Sequence, residues 1–572
     1  MHALLTLRTV RHLWLSQVLW RLKYRRLRRS EEATRYDLVG QLRRKTAGLT
    51  RDPQFPVAAL AAQLCSSALT RWHDGRLTLL HRERPFAGGD DWGLPRAQTR
   101  DRLWMAHLHG HRWLLDLANR NAPGGGEAPA SGEDLRRFLA DWIAVCRPGA
   151  PGFSEFAWNS YDIATRILCW TCLPRDAAYD EALLESLALQ AAYLHEHLEW
   201  DLRANHLLRD AAGLACAGRF FRGLAAERWL ETATALAAGQ VDEQVLPDGG
   251  HFERSPMYHV HAMEDLLALS CLLRDAATLA KLTAAWGRMA EYLAWVRHPD
   301  GQLALFNDGG FNGACAPSGI LGAGLSLKGP VVSARRRGGR HFADTGMVAW
   351  HGTPWTVFFD IGPIGPDYQP GHAHADTLTL ETSFSGRRLF VDPGTYAYDD
   401  DARRRYDRST AAHNTVCIDA RDSSEVWHIF RVGRRAYAHH VSAGFDADGF
   451  TAGAAHDGYA SLPGGPKHAR TVSITNQREL RITDRVDGRG AHSLSGGWLL
   501  APGWSAEAVP GGWRVLRDGQ GVSVNVKGPA EMKLGLERRP YHPEYGLEIE
   551  TVRLCWILES SRLPAEIATV VE

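Results

Sequence analysis

The sequence predicts an α+β multidomain protein: an N-terminal α/α toroid, an incomplete barrel of helical hairpins, followed by a C-terminal antiparallel β-sandwich. Three observations predict it. The chain has 572 residues, more than one core can keep filling, so two large domains are expected. Its first half places apolar side chains at three- and four-residue spacing, the period of amphipathic helices. Its second half changes to short alternating runs divided by glycine-rich turns, the period of half-buried strands.

In order, residues 1–50 read as a basic helical segment, 51–328 as the toroid, 329–342 as a linker and 343–572 as the sandwich. Arg8, Arg11, Arg21, Lys23, Arg25, Arg26, Arg28 and Arg29 all precede the first acidic residue, Glu31. These arginines interrupt the apolar core that a signal peptide needs. The segment therefore reads as a cationic helix packed on the rest of the protein, or as one lying on a membrane surface. Helices are expected over 162–173, 181–200, 205–221, 227–245, 263–273 and 277–296, with Ser255 as an N-cap and Pro256 at a first helical position. Breaks at Pro174, Pro247 to Gly250 and Pro299 to Gly301 separate them. No fixed-period repeat is evident, which favours a toroid over a solenoid. Strand runs follow at 347–361, 378–391, 415–419, 470–485, 513–527 and 551–558, and the cleft between the two domains is the default ligand site.

Bulk properties narrow the function. A hydrophobic fraction of 45% with 23% charged residues is that of an ordinary globular protein. The net charge of +1 argues against a generally basic nucleic-acid binder. No apolar run is long enough to span a bilayer. Nine scattered cysteines form no disulfide scaffold, and Cys169 and Cys172, inside a helical run, read as buried small hydrophobes and not a redox pair.

Chemistry concentrates in a few segments. Gly371-His372-Ala373-His374-Ala375-Asp376 is followed by Val391-Asp392-Pro393-Gly394-Thr395 and by His413-Asn414-Thr415. On a strand His372 and His374 point to one face, and a strand return brings two imidazoles and a carboxylate together, as a zinc-type site requires. In the helical half, Asn205-His206 opens a helix, the segment 248–259 carries Glu253 and Tyr258, and Trp158-Asn159-Ser160-Tyr161 leads to Arg166. Each has a plainer reading. Asn205 caps its helix, Tyr258 is a core aromatic, and Arg166 pairs with Asp162 one turn earlier. Asp248 and Glu253 flank a tight glycine turn, too close for the paired carboxylates of a glycosidase.

The segments 158–170, 205–221, 248–259, Phe306-Asn307-Asp308, 371–376, 386–395 and 406–415 keep their order across the chain. Together they resemble the heparinase II/III family of polysaccharide lyases. The resemblance implies β-elimination at a uronic acid in an acidic polysaccharide. It implies Asn205 and His206 as the groups that neutralise the uronate carboxylate. Tyr258 is then the acid, and also the base when both groups lie on one sugar face; His372 is the other candidate base, with Tyr398 and Tyr406 in reserve. It also implies a structural metal, Zn2+ on His374, Asp392 and His413, although manganese and iron suit the same donors. Secreted members begin with a signal peptide. The amino terminus departs from that pattern, which leaves periplasm, cytoplasm and membrane periphery open and makes the chain more similar to members accompanying exopolysaccharide synthesis. Arg254, Arg403, Arg404, Arg405 and Arg408 are candidates for sulfate recognition. Two other functions fit the same residues: a hydrolase using Glu253 or Asp308 as acid, and a non-catalytic polysaccharide-binding protein whose basic terminus docks on a membrane or a synthase complex.

Overall fold

The structure, a computed structural model, describes residues 2–32, 37–61, 64, 70–93, 101–118, 131–150, 152–174, 180–324 and 336–572. Residues 329–335 of the expected linker lie outside the described residues.

Helical hairpins make up the first half. Ser160–Trp170, Glu181–Glu196, Ala204–Phe220, Leu224–Gln244, Pro256–Leu272 and Ala276–Trp295 follow one another along the chain. Ala204–Phe220 is the central one, buried almost throughout. Its small residues allow this: a Cβ at Gly213 would lie 2.6 Å from the Ala164 Cα of a neighbouring helix. Caps define the ends as the sequence suggests. The Ser255 hydroxyl accepts from the Tyr258 N–H at 3.2 Å with Pro256 at the first position, a standard N-cap arrangement. Arg166 departs from expectation. It makes no ion pair with Asp162; its buried guanidinium donates to Gln190 Oε1 at 2.7 Å and to the carbonyls of His109 and Ala157, and it stacks over Trp142. This is a structural staple. Cys169 and Cys172 are free and buried.

A three-stranded sheet within this half was not expected: Arg71–His73, Arg76–Leu79 and Arg82–Pro85 pair antiparallel. A signal for it was present, because Asp74-Gly75 between two of its strands adopts positive φ at both residues, the hallmark of a tight hairpin turn.

The second half is a stack of antiparallel sheets. One runs Arg387–Arg388, Leu380–Phe384, Trp355–Asp360, Met347–His351, Gly338–Phe342 in spatial order, and an eight-stranded sheet runs from Ala438–Phe445 to Ser505–Val509. A four-stranded sheet holds Cys417–Ile418, Ala491–Leu499, Leu547–Arg562 and Lys533–Glu544. Runs read as single strands prove to be hairpins: 470–485 divides into Lys467–Thr475 and Glu479–Asp487. Strict alternation of buried and exposed residues in both marks strands with one face on the core.

The two halves share packing. Phe342, Met347, Phe358, Tyr398 and Tyr545 of the strand half belong to the helical core. A buried polar knot adds to this: His298 meets Glu381 at 3.0 Å, and Arg388 bridges Glu381 and Asp300. That knot fixes the extended segment ending at Asn307-Asp308 against the sandwich, and this segment builds the site.

Candidate active site

A cavity of about 790 Å3 lies between the halves, and Asn205, His206, Tyr258, His372, Tyr398 and Tyr545 all line it. All four residues expected to be catalytic therefore share one wall. Seven arginines also line it, against three aspartates, so the cleft suits an anionic ligand.

Asn205 does not cap its helix. Arg203 is the N-cap, and the chain enters through Arg203 and Ala204 at φ values of 63° and 56°, a strained backbone for residues other than glycine. The surroundings hold it there: Arg203 Nε reaches Glu243 at 3.0 Å, and Gln244 donates to the Ala204 carbonyl at 2.7 Å. The Asn205 N–H donates to Glu253 at 3.0 Å. Its side-chain amide makes no hydrogen bond among the described residues and faces the cavity. His206 lies 3.1 Å from Glu199. Burial opposes its charged form, but the Glu199 carboxylate outweighs that and raises its pKa.

Tyr258 is stacked on the His372 ring, centroids 3.6 Å apart. Its hydroxyl meets Tyr398 at 2.9 Å, and Tyr398 meets Tyr545 at 2.7 Å, a chain of three phenols. Burial first, then the charges of Tyr545 and Asp308, push the Tyr258 hydroxyl well above its ordinary value. It is a neutral donor. Tyr406 is not part of this wall; its hydroxyl donates to the Pro540 carbonyl. Tyr545 carried no signal in the sequence.

Asp308 organises the site. The segment 371–376 is an irregular loop and not a strand, so its two histidines converge by other means. Both bond to one carboxylate: His372 Nδ1 to Asp308 at 3.0 Å and His374 Nε2 to Asp308 at 2.9 Å. Arg404 clasps the same carboxylate through both terminal nitrogens. Asn307, at φ 61°, accepts from the His374 N–H. Burial would raise the Asp308 pKa, but Arg404 and the two imidazoles hold it well below the usual range. Asp308 is thus an ionised hub, unsuited to act as the acid of a hydrolase. Asp308→Asn should lower stability by about 3 kcal/mol, since it leaves Arg404 buried without its counter-charge. Chemical denaturation checks this, and a variant as stable as the parent would remove Asp308 from that role.

On the far side of this hub His374, Asp392 and His413 form a buried triad whose donor atoms lie within 4.8 Å of one another. Three of their atoms, His374 Nδ1, Asp392 Oδ1 and His413 Nε2, are buried with no partner among the described residues. Asp376 stands close by, its pKa raised first by burial and then by the charges of Asp360 and Asp392. Convergent orphan donors amid mutually repelling carboxylates fit a divalent cation. The loop bearing His413 is fixed from behind: Arg553 donates to the His413 carbonyl at 2.7 Å, and the Asn414 amide donates to the Leu380 and Val391 carbonyls.

Two family models match the chain. Heparinase II/III N-terminus matches residues 23–314, and Heparinase II/III-like, C-terminal matches residues 334–569. The chain belongs to the heparinase II/III family. A heparin-sulfate lyase of Bacteroides stercoris is 23% identical over 58% of this chain and 55% of its own length. FtsZ-localized protein C of Caulobacter vibrioides is 28% identical over 36% of this chain and 35% of its own. The chain thus spans about half the length, or less, of these curated relatives. Among solved structures, a heparinase III superposes with a TM-score of 0.67 at 16% identity, covering 98% of this chain and 92% of that one; this supports the fold.

On this heparinase II/III frame the arginines singled out for sulfate are elsewhere. Arg254 and Arg408 are spent on backbone carbonyls, Arg404 on Asp308, Arg403 on Glu548 and Arg405 on Asp400. Arginines that do line the cleft include Arg112 and Arg209, held against Glu264 and Asp265, and Arg21 and Arg28 from the basic N-terminal segment. Periodicity gave no means of placing that segment in the wall.

Proposed function

We propose that this protein is a polysaccharide lyase that cleaves a uronate-containing acidic polymer by β-elimination. The shared wall of Asn205, His206, Tyr258 and His372 in an arginine-lined cleft carries the reading. The C5 proton of a uronate is hardly acidic while its carboxylate is charged. The free Asn205 amide and the more readily charged His206 offset that charge and stabilise the developing enolate. The base removes the C5 proton, the electron pair forms the C4–C5 double bond, and the C4–O4 bond breaks. Tyr258, a neutral phenol, donates its proton to O4. His372 serves as base: with its Nδ1–H donated to Asp308, Nε2 keeps the lone pair. Tyr398, at hydrogen-bond distance from Tyr258, is the second candidate. Zinc on His374, Asp392 and His413 would fix the loop that presents His372, a positioning role.

Heparan sulfate, hyaluronan, alginate and an exopolysaccharide of the producing cell all present the required uronate. Incubating the protein with a panel of these polymers should raise ultraviolet absorbance with at least one of them, through the conjugated unsaturated uronate. Prior chelator treatment should reduce the rate. Fragments that lack the new double bond would point to hydrolysis. In a non-catalytic polysaccharide-binding protein, the second reading, polymer would bind and no absorbance would develop.

A further inference from the structure

Seven of the fifteen large apolar side chains exposed on the described surface fall between Leu4 and Leu22. An apolar cluster of this kind on an otherwise polar surface marks an interaction site. It belongs to two helices, His2–Val10 and Leu15–Glu31. On the second, Leu15, Leu19 and Leu22 are 74%, 57% and 49% exposed. Their spacing of four and three puts them on one face, and the next positions in that series are the exposed Arg26 and Arg29. On the first helix, Leu4 and Leu7 are exposed at the same spacing.

The opposite face is committed. Gln17, fully buried, donates to the carbonyls of Asp201 in the toroid and Tyr368 in the strand half. Tyr24 donates to the Leu198 carbonyl. Trp14 packs on Tyr368 with centroids 4.2 Å apart, and Trp427 donates to the Thr9 hydroxyl at 3.1 Å. These contacts clamp the helices across both halves, so the leucine face has a fixed outward orientation.

We propose that this face docks flat on an anionic lipid bilayer. Leucines flanked by basic residues match an interfacial helix, the apolar groups entering the headgroup boundary and the cations meeting lipid phosphates. Charge selects this occupant: Arg25, Arg26 and Arg29 have no acidic partner among the described residues, and no acidic residue precedes Glu31. No helix among the described residues is long and apolar enough to cross a membrane, so the helices lie on the bilayer. Thr9, Arg21 and Tyr24 of the same two helices, and Leu13 in the turn between them, line the cleft. Docking therefore holds the cleft about one helix diameter, ~10 Å, from the lipid surface, where a polymer running along the membrane would enter it.

The test is density-gradient flotation of the full chain with phosphatidylcholine vesicles, alone or mixed with phosphatidylglycerol. The chain should float with the mixed vesicles only. Leu19→Ser combined with Leu22→Ser should weaken partitioning about a hundredfold. Arg26→Ala combined with Arg29→Ala should weaken it about thirtyfold, at ~1 kcal/mol for each basic residue. All four positions lie outside the cleft lining, so melting temperature should stay unchanged in both variants. Failure to float with phosphatidylglycerol, or flotation unaffected by both variants, would overturn the proposal. So would a concentration-dependent dimer that the leucine variant abolishes, which would assign the face to a second copy. Flotation reads lipid contact and not cleavage, so this result stands apart from the lyase reading.

Discussion

Tyr258→Phe should lower turnover by about a thousandfold or more, the scale of a lost general acid, while polymer affinity is nearly unchanged. Packing is what separates the two effects. The ring stacked 3.6 Å from His372 remains in the variant, and the Tyr398 hydroxyl keeps its bond to Tyr545. What disappears is one proton donor, whose pKa burial holds too high for it to ionise at neutral pH. Initial rates by ultraviolet absorbance and affinity by calorimetry on the same polymer check both halves of the expectation. Retained turnover would move the acid along the phenol chain, with Tyr398 the next candidate.

His413→Ala should remove metal and stability together. Loss of an outer-shell partner alone costs metal sites about 10–100-fold in affinity, and a direct ligand is expected to cost at least the upper end of that range. Stability falls for two reasons. Bound metal at about a thousand times its dissociation constant contributes ~4 kcal/mol. In addition Asp392, 2.8 Å from His413 and fully buried, loses its imidazole neighbour and is left as a buried acid without it. Elemental analysis gives the metal content, and thermal melting with and without chelator gives the linkage. Chelator should lower the melting temperature of the parent and leave the variant unaffected. Unchanged metal stoichiometry in the variant would remove His413 from the site.

These two residues show how unevenly the site was legible. The triad was readable because each member sits in a short distinctive segment, and the turn after Asp392 and the His-Asn-Thr run are local features. Tyr258 was placed near the cleft by its position at the start of a capped helix, and its role was what the family resemblance implied. The route by which His372 and His374 reach their positions was misread, because alternation suggested a strand where the chain forms a loop. Nothing local could correct that, since the loop is held by Asn307 and Asp308 from the other domain. Arg166 was given to Asp162 because a helical turn makes them neighbours, yet the Gln190 side chain and the His109 and Ala157 carbonyls offered a better-satisfied buried site.

By itself the sequence determined the order of elements, the switch from helical to strand period, the residues of the candidate metal triad and the family. All of these rest on interactions between residues close along the chain or on short motifs. Only the tertiary structure decided that Tyr398 and not Tyr406 meets Tyr258, that Tyr545 extends the chain of phenols, that Asp308 serves both histidines, and that the basic amino terminus walls the cleft. Each of those depends on contacts between segments far apart in sequence, where the winning partner is set by which buried polar groups remain to be satisfied once the two halves have packed.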